Sequence, residues 1–222
     1  MFFNPLQVTG PLLLGLVTVA SSEPSATSAE IQPRANSINI TSVTGSGTGC
    51  PEGAFTTNLS PDGTVITIGF DAFEVYIGPG TVITDRSKTC ILRVTADYSS
   101  AHTFGAQGTT WHGYEFMSDN MTGSFISTYM FAGNTTTDTS PSTTAKASIT
   151  SGQLSEVYTV HTATQESGVI WAPCSPDPGR VTLQVTSRIA LTTQDTKPSG
   201  TINDEPPLSL VAQQIHLGWK SC

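Results

Sequence analysis

The sequence predicts an all-β fold: a single antiparallel β-sandwich of jelly-roll-like form, stapled by disulfides. Three observations carry that expectation. About ten short stretches alternate apolar and polar residues between turns rich in Gly, Pro, Ser and Asn. No stretch keeps a helical period. Four cysteines stand in a chain of 222 residues that opens on an export signal, and exported chains keep their cysteines oxidised.

The export signal is the run 12–20, LLLGLVTVA, followed by small residues at Ala20 and Ser21. Residues 1–20 therefore read as a signal peptide. The run is too short for a membrane span, which needs ~20 apolar residues, so no membrane anchor is expected in the mature chain. Residues 21–37 are rich in Ser, Pro and Ala and read as a flexible leader or pro-segment, with Arg34 as a candidate second cut. Residues 38–222 are expected to form the sandwich domain.

Within it, residues 38–43 alternate and open the first strand. Strands 55–59 and 65–70 flank Ser60-Pro61-Asp62-Gly63, a strong turn signal, and make a hairpin. The alternation then slips at Asp71-Ala72, which reads as a β-bulge with Asp71 as its stabilising carboxylate rather than a ligand. Gly78-Pro79-Gly80 ends that strand, and Asp85 to Lys88 forms a charged tip. In 89–98, Cys90, Leu92, Val94, Ala96 and Tyr98 share one parity and Arg93, Thr95 and Asp97 the other, as in a strand with one buried and one wet face. Residues 102–117 follow as a strand. Residues 125–131 are apolar on both parities and predict a central strand. Residues 134–144 form a long polar loop. Short strands are expected at 145–150, 156–162 and 168–171. The cleanest alternation sets Val181, Leu183, Val185, Ile189 and Leu191 inward. Residues 194–207 read as an irregular acidic loop, a solvated one rather than a Ca²⁺ site because EF-hand spacing is missing. Residues 210–219 close the sheet.

Four cysteines allow three pairings. Joining Cys50 to Cys90 and Cys174 to Cys222 ties the ends of one run of consecutive strands in each case, and is the favoured arrangement. A four-cysteine zinc site is disfavoured because no Cys-x-x-Cys pair occurs. Sequons at Asn39, Asn58, Asn120 and Asn134 are glycosylation candidates, with Pro61 after Ser60 making Asn58 the weakest.

The chain has 9 Lys and Arg against 17 Asp and Glu, a formal net charge of -8, and such a surface repels phosphate backbones, so no nucleic-acid partner is expected. No nucleophile elbow, zincin helix, P-loop or dinucleotide fingerprint occurs, and no cofactor or metal is implied. The most site-like cluster is Trp111-His112-Gly113-Tyr114-Glu115. Alternation splits it, with Trp111, Gly113 and Glu115 facing one way and His112, Tyr114 and Phe116 the other, so core packing beside an exposed histidine is preferred to a binding site. Trp111, His112, Tyr114, Glu115 and Glu74 remain the ligand-facing candidates. Asp71, Glu74, Glu115 and Glu156 are the strand carboxylates from which a glycosidase pair would be drawn.

Several motifs taken together resemble a known family. They are Gly49-Cys50-Pro51, Leu59-Ser60-Pro61-Asp62-Gly63, Gly78-Pro79-Gly80, the Cys90 strand, Gly113-Tyr114, Ile170-Trp171-Ala172-Pro173-Cys174 and His216-Leu217-Gly218-Trp219-Lys220-Ser221-Cys222. In that order they resemble the secreted fungal and bacterial domain-of-unknown-function 4360 family over 38–222. Thr89 stands where members tend to have Asn, and the acidic loop before the last strand is longer. The resemblance implies a secreted, disulfide-bonded, mainly β domain and supplies no catalytic residue.

The expectation is thus an extracellular, non-enzymatic domain that binds a cell-wall glycan or an extracellular protein at a wall, matrix or host surface. A carbohydrate-active hydrolase with paired carboxylates is the alternative, and a secreted inhibitor or effector a third.

Overall fold

Alternation of buried and wet side chains builds almost every strand of this protein. The computed structural model describes residues 38–99, 101–132, 141–150, 154–165, 168–174, 179–194, 198–202 and 211–222. The signal segment, the leader, Asn134 and the acidic residues Asp195, Asp204 and Glu205 lie outside them. The strands are β1 (Ile38–Ser46), β2 (Phe55–Leu59), β3 (Val65–Phe70), β4 (Val75–Ile77), β5 (Ser87–Tyr98), β6 (His102–Met117), β7 (Met121–Ala132), β8 (Ser142–Thr150), β9 (Leu154–Ala163), β10 (Gly179–Thr193), β11 (Gly200–Ile202) and β12 (Val211–Ser221). A 3-10 turn, Ile83–Arg86, precedes β5.

All pairings are antiparallel and form two sheets. The five-stranded sheet runs β1-β5-β10-β7-β8, and the seven-stranded sheet runs β2-β3-β12-β6-β11-β4 with β9 also on β6. Residues 108–112 of β6 pair with both β12 and β9, and 115–117 with both β11 and β9. Because a strand has two edges, β9 takes one edge of β6, while β12 and β11 take successive parts of the other. Strand β6 is therefore the spine of its sheet.

The two sheets bury their inward parities against each other. Cys90, Leu92, Val94, Ala96 and Tyr98 are all buried, as are Val181, Leu183, Val185, Ile189 and Leu191. Aromatic rings link the layers: Phe73 packs edge-on against both Phe70 and Trp111, and Trp111 meets Phe125 of the other sheet at 5.8 Å. Strand β7 lies between β10 and β8. The turn between β2 and β3 is held by Ser60 and Asp62, whose oxygens accept from the Thr64 amide, while Gly63 adopts a φ of 70°.

Disulfides join Cys50 to Cys90 and Cys174 to Cys222, with Cα atoms 5.3 and 5.7 Å apart. The first fixes the turn after β1 onto β5. The second fixes the segment after Trp171 onto the end of β12. They close sequence separations of 40 and 48 residues, worth about 4 kcal/mol each on the chain-entropy account.

Three expectations about elements change. Asp71-Ala72 is a break between strands, not a bulge, because β3 pairs with β12 whereas β4 pairs with β11. Asp71 is exposed at that bend. Residues 168–171 are not a strand: only Trp171 bridges to Gly105, and Ala172 is held by its amide on the Phe104 carbonyl and by Thr103 donating to its carbonyl. The loop 194–207 contains strand β11, too short for alternation to reveal it.

Candidate functional site

The outward face of the seven-stranded sheet carries aromatic, imidazole, amide and hydroxyl side chains from several strands. Inward parity on β6 takes Thr109, Trp111, Glu115 and Met117, which are buried, so Thr110, His112, Tyr114 and Phe116 face out, with Thr110 covered by its neighbours to 7% exposure. Register then carries the outward rows across the sheet. Asn58, Thr67, Gln214, Thr110 and His161 lie on one line through β2, β3, β12, β6 and β9. Ala212, His112 and Thr159 make the next line. Beyond them Tyr114 stands opposite Val157, and Tyr76, Thr201 and Phe116 form the last line through β4, β11 and β6.

This end of the face is apolar and open. Phe116 is 43% exposed, Tyr76 38% and Val157 62%. Tyr76 and Phe116 are two strands apart, ~10 Å by strand spacing. Glu74 sits between buried Phe73 and Val75, which places it on the same outward side as Tyr76.

The middle of the face is a hydrogen-bonding array. The Thr110 hydroxyl lies 2.9 Å from His161 Nδ1 and 2.7 Å from His216 Nε2. A hydroxyl donates once, so at least one of those nitrogens carries a proton and gives it to Thr110. Burial, with His161 close by, holds His216 below the ordinary histidine range. His112 Nδ1 pairs with the Thr159 hydroxyl at 2.9 Å. At the far end Lys220 Nζ rests 4.4 Å above the Trp171 ring.

Of the five ligand-facing candidates from the sequence, His112, Tyr114 and Glu74 fall on this face. Trp111 and Glu115 do not, because their parity turns them into the core, where they are 0% and 1% exposed. Glu115 is surrounded by packing, its Oε2 has no hydrogen-bond partner, and burial followed by the charge of Glu156 pushes its carboxyl up to about 7. Glu156 is its register partner and is exposed. Glu74 and Glu115 lie on opposite sides of the sheet, so those two cannot flank one bond. Among the described residues, no three His, Cys, Asp or Glu side chains are placed to share a metal ion.

Sequence reasoning put Phe116 on the outward parity but left it, with Tyr76, His161 and His216, out of the ligand-facing candidates. Val75-Tyr76-Ile77 is apolar on both parities and hides which one faces out. The histidines meet Thr110 across separations of 51 and 106 residues, which only the pairing of β9 and β12 with β6 closes.

Comparison with known proteins adds three findings. A family model described as "Domain of unknown function (DUF4360)" matches residues 36–222. An "Uncharacterized secreted protein" of Arthroderma benhamiae (strain ATCC MYA-4681 / CBS 112371) is 29% identical over 190 residues, covering 86% of this chain and 74% of that protein. The solved structure of TmCBM61 in complex with β-1,4-galactotriose overlaps 82% of this chain and 90% of that one at 9% identity, with a TM-score of 0.21.

Proposed function

The chain belongs to the DUF4360 family, and on that premise we propose that it is a secreted, non-enzymatic binding domain whose outward seven-stranded face takes a neutral extracellular glycan at a wall, matrix or host surface. One observation carries this reading. Five large apolar side chains stand exposed among the described residues, and Tyr76, Phe116 and Val157 are on this face, next to a row of hydroxyl, amide and imidazole groups. A sugar ring has the matching character, an apolar C–H face with a rim of hydroxyls. Tyr76 and Phe116 would take the C–H faces. Gln214, His112 and Glu74 would take the rim.

The exposed rings of the face, Tyr76 and Phe116, stand two strands apart, which suits an extended chain over a single sugar. The buried position of Glu115 keeps its carboxyl from substrate, which weighs against hydrolysis by the Glu115 and Glu156 pair.

Co-sedimentation with chitin, β-glucan and extracted wall tests the proposal. The wild type is expected to be retained, and Tyr76→Ala with Phe116→Ala to lose about tenfold in affinity, ~1.4 kcal/mol, without a change in melting temperature. Thr186→Ala on the other sheet serves as the control. Equal retention of the double variant, or no retention of the wild type, overturns the reading. Release of reducing ends that Glu115→Gln abolishes would favour the hydrolase instead.

A further inference from the structure

A polar concavity lies on the outward face of the five-stranded sheet. It is a cleft of about 350 Å³ lined by Asn120, Thr122, Thr150, Thr192, Thr193 and Gln194. Its floor is ordered by register: Thr192 of β10 and Thr150 of β8 both stand opposite Thr122 of β7. None of the six lining side chains is charged. Threonines offer a methyl and a hydroxyl each, and the two amides offer donors and acceptors, so the cleft suits a neutral polar ligand. Its volume is at the small end for ligand sites, which limits the occupant to about one sugar.

One wall of this cleft is also a sequon asparagine. Asn120-Met121-Thr122 occupies the turn from β6 into β7, and Asn120 is exposed with a φ of 57°, a left-handed conformation that puts it at the tip of the turn. We propose that Asn120 is N-glycosylated and that the first N-acetylglucosamine of that glycan lies in the threonine cleft. In the transfer the Asn120 amide nitrogen loses a proton and bonds to the anomeric carbon of a lipid-diphosphate-linked oligosaccharide. The carbon–oxygen bond to the lipid diphosphate breaks, and the diphosphate leaves with the electron pair. The acetamido and hydroxyl groups of the sugar then meet the Thr122, Thr150 and Thr192 side chains. The attached glycan covers this end of β7 and β10. The inference rests on secretion of the chain and is independent of the opposite, ligand-binding face.

Protein collected from the medium of a eukaryotic host tests it, with recovery in the medium reporting on secretion and the Asn120 peptide mass on this inference. The Asn120 peptide is expected to carry a glycan. Hydrogen exchange at Thr122 and at 192–194 is expected to stay slow after an endoglycosidase trims the glycan to one N-acetylglucosamine. It is expected to rise about fivefold in Asn120→Gly, a variant that keeps the left-handed turn unstrained. An unmodified Asn120 in secreted protein overturns the proposal. So does exchange in Asn120→Gly that matches the glycosylated form.

Discussion

Glu115 sets the pH response at the scale of a single residue. Its carboxyl, ordinarily near 4.5, titrates at about 7 in the folded protein because burial and Glu156 oppose its charge. The folded state therefore holds a proton that the unfolded chain releases. The stabilisation is complete below pH ~4.5 and is lost as pH rises through ~7. Unfolding free energy is expected to fall by on the order of 2 kcal/mol between pH 5 and pH 8. Glu115→Gln should flatten that slope in denaturant titrations, and an unchanged slope would reassign it. His216 acts with the opposite sign: its pKa is lowered by burial and by His161, so its contribution is lost as pH falls below the ordinary histidine value of 6.5. A second residue, Gln213, is fully buried and crosses the core. Ser187 Oγ donates to its Oε1 at 2.8 Å and its Nε2 donates to Ser127 Oγ at 3.3 Å. Gln213→Leu leaves two buried hydroxyls without that partner and is expected to cost about 2 to 4 kcal/mol in chemical unfolding. Adding Ser127→Ala and Ser187→Ala should recover part of the loss.

At the scale of elements, legibility followed the number of wet faces. Strands β5 and β10 each bury one parity, and their alternation could be read directly from residues such as Cys90, Leu92, Val181 and Leu183. The parity slip at Asp71-Ala72 has two physical origins that look alike in sequence, an inserted bulge residue or a change of partner strand. The partner strands, β12 and β11, lie more than a hundred residues away, on the order of what only long-range pairing resolves. Residues 168–171 look apolar enough for a strand, yet one bridge, Trp171 to Gly105, ties them to β6, and the two hydrogen bonds that follow fall on Ala172. The candidate face was half legible: alternation placed His112, Tyr114 and Phe116 outward, while Tyr76 joined them only once β4, β11 and β6 were aligned. Trp111 and Glu115, drawn from the same sequence cluster, belong to packing.

At the scale of the whole molecule, two sheets divide the work. The inward parities carry the core, and the disulfides close the chain at both ends of the strand runs. The outward faces differ in kind: one displays aromatic and imidazole side chains and the other a threonine cleft. The net charge of -8 disfavours polyanions, and neutral polyhydroxylic ligands are the proposed match for the aromatic face. The most direct measurement is a backbone amide chemical-shift titration with soluble oligosaccharides cut from chitin, β-glucan and wall. The account predicts saturable shifts at Tyr76, Thr110, His112, Tyr114, Phe116 and Gln214. Shifts confined to the five-stranded sheet, or none at millimolar sugar, where Kd values of ~1 mM would register, would contradict it.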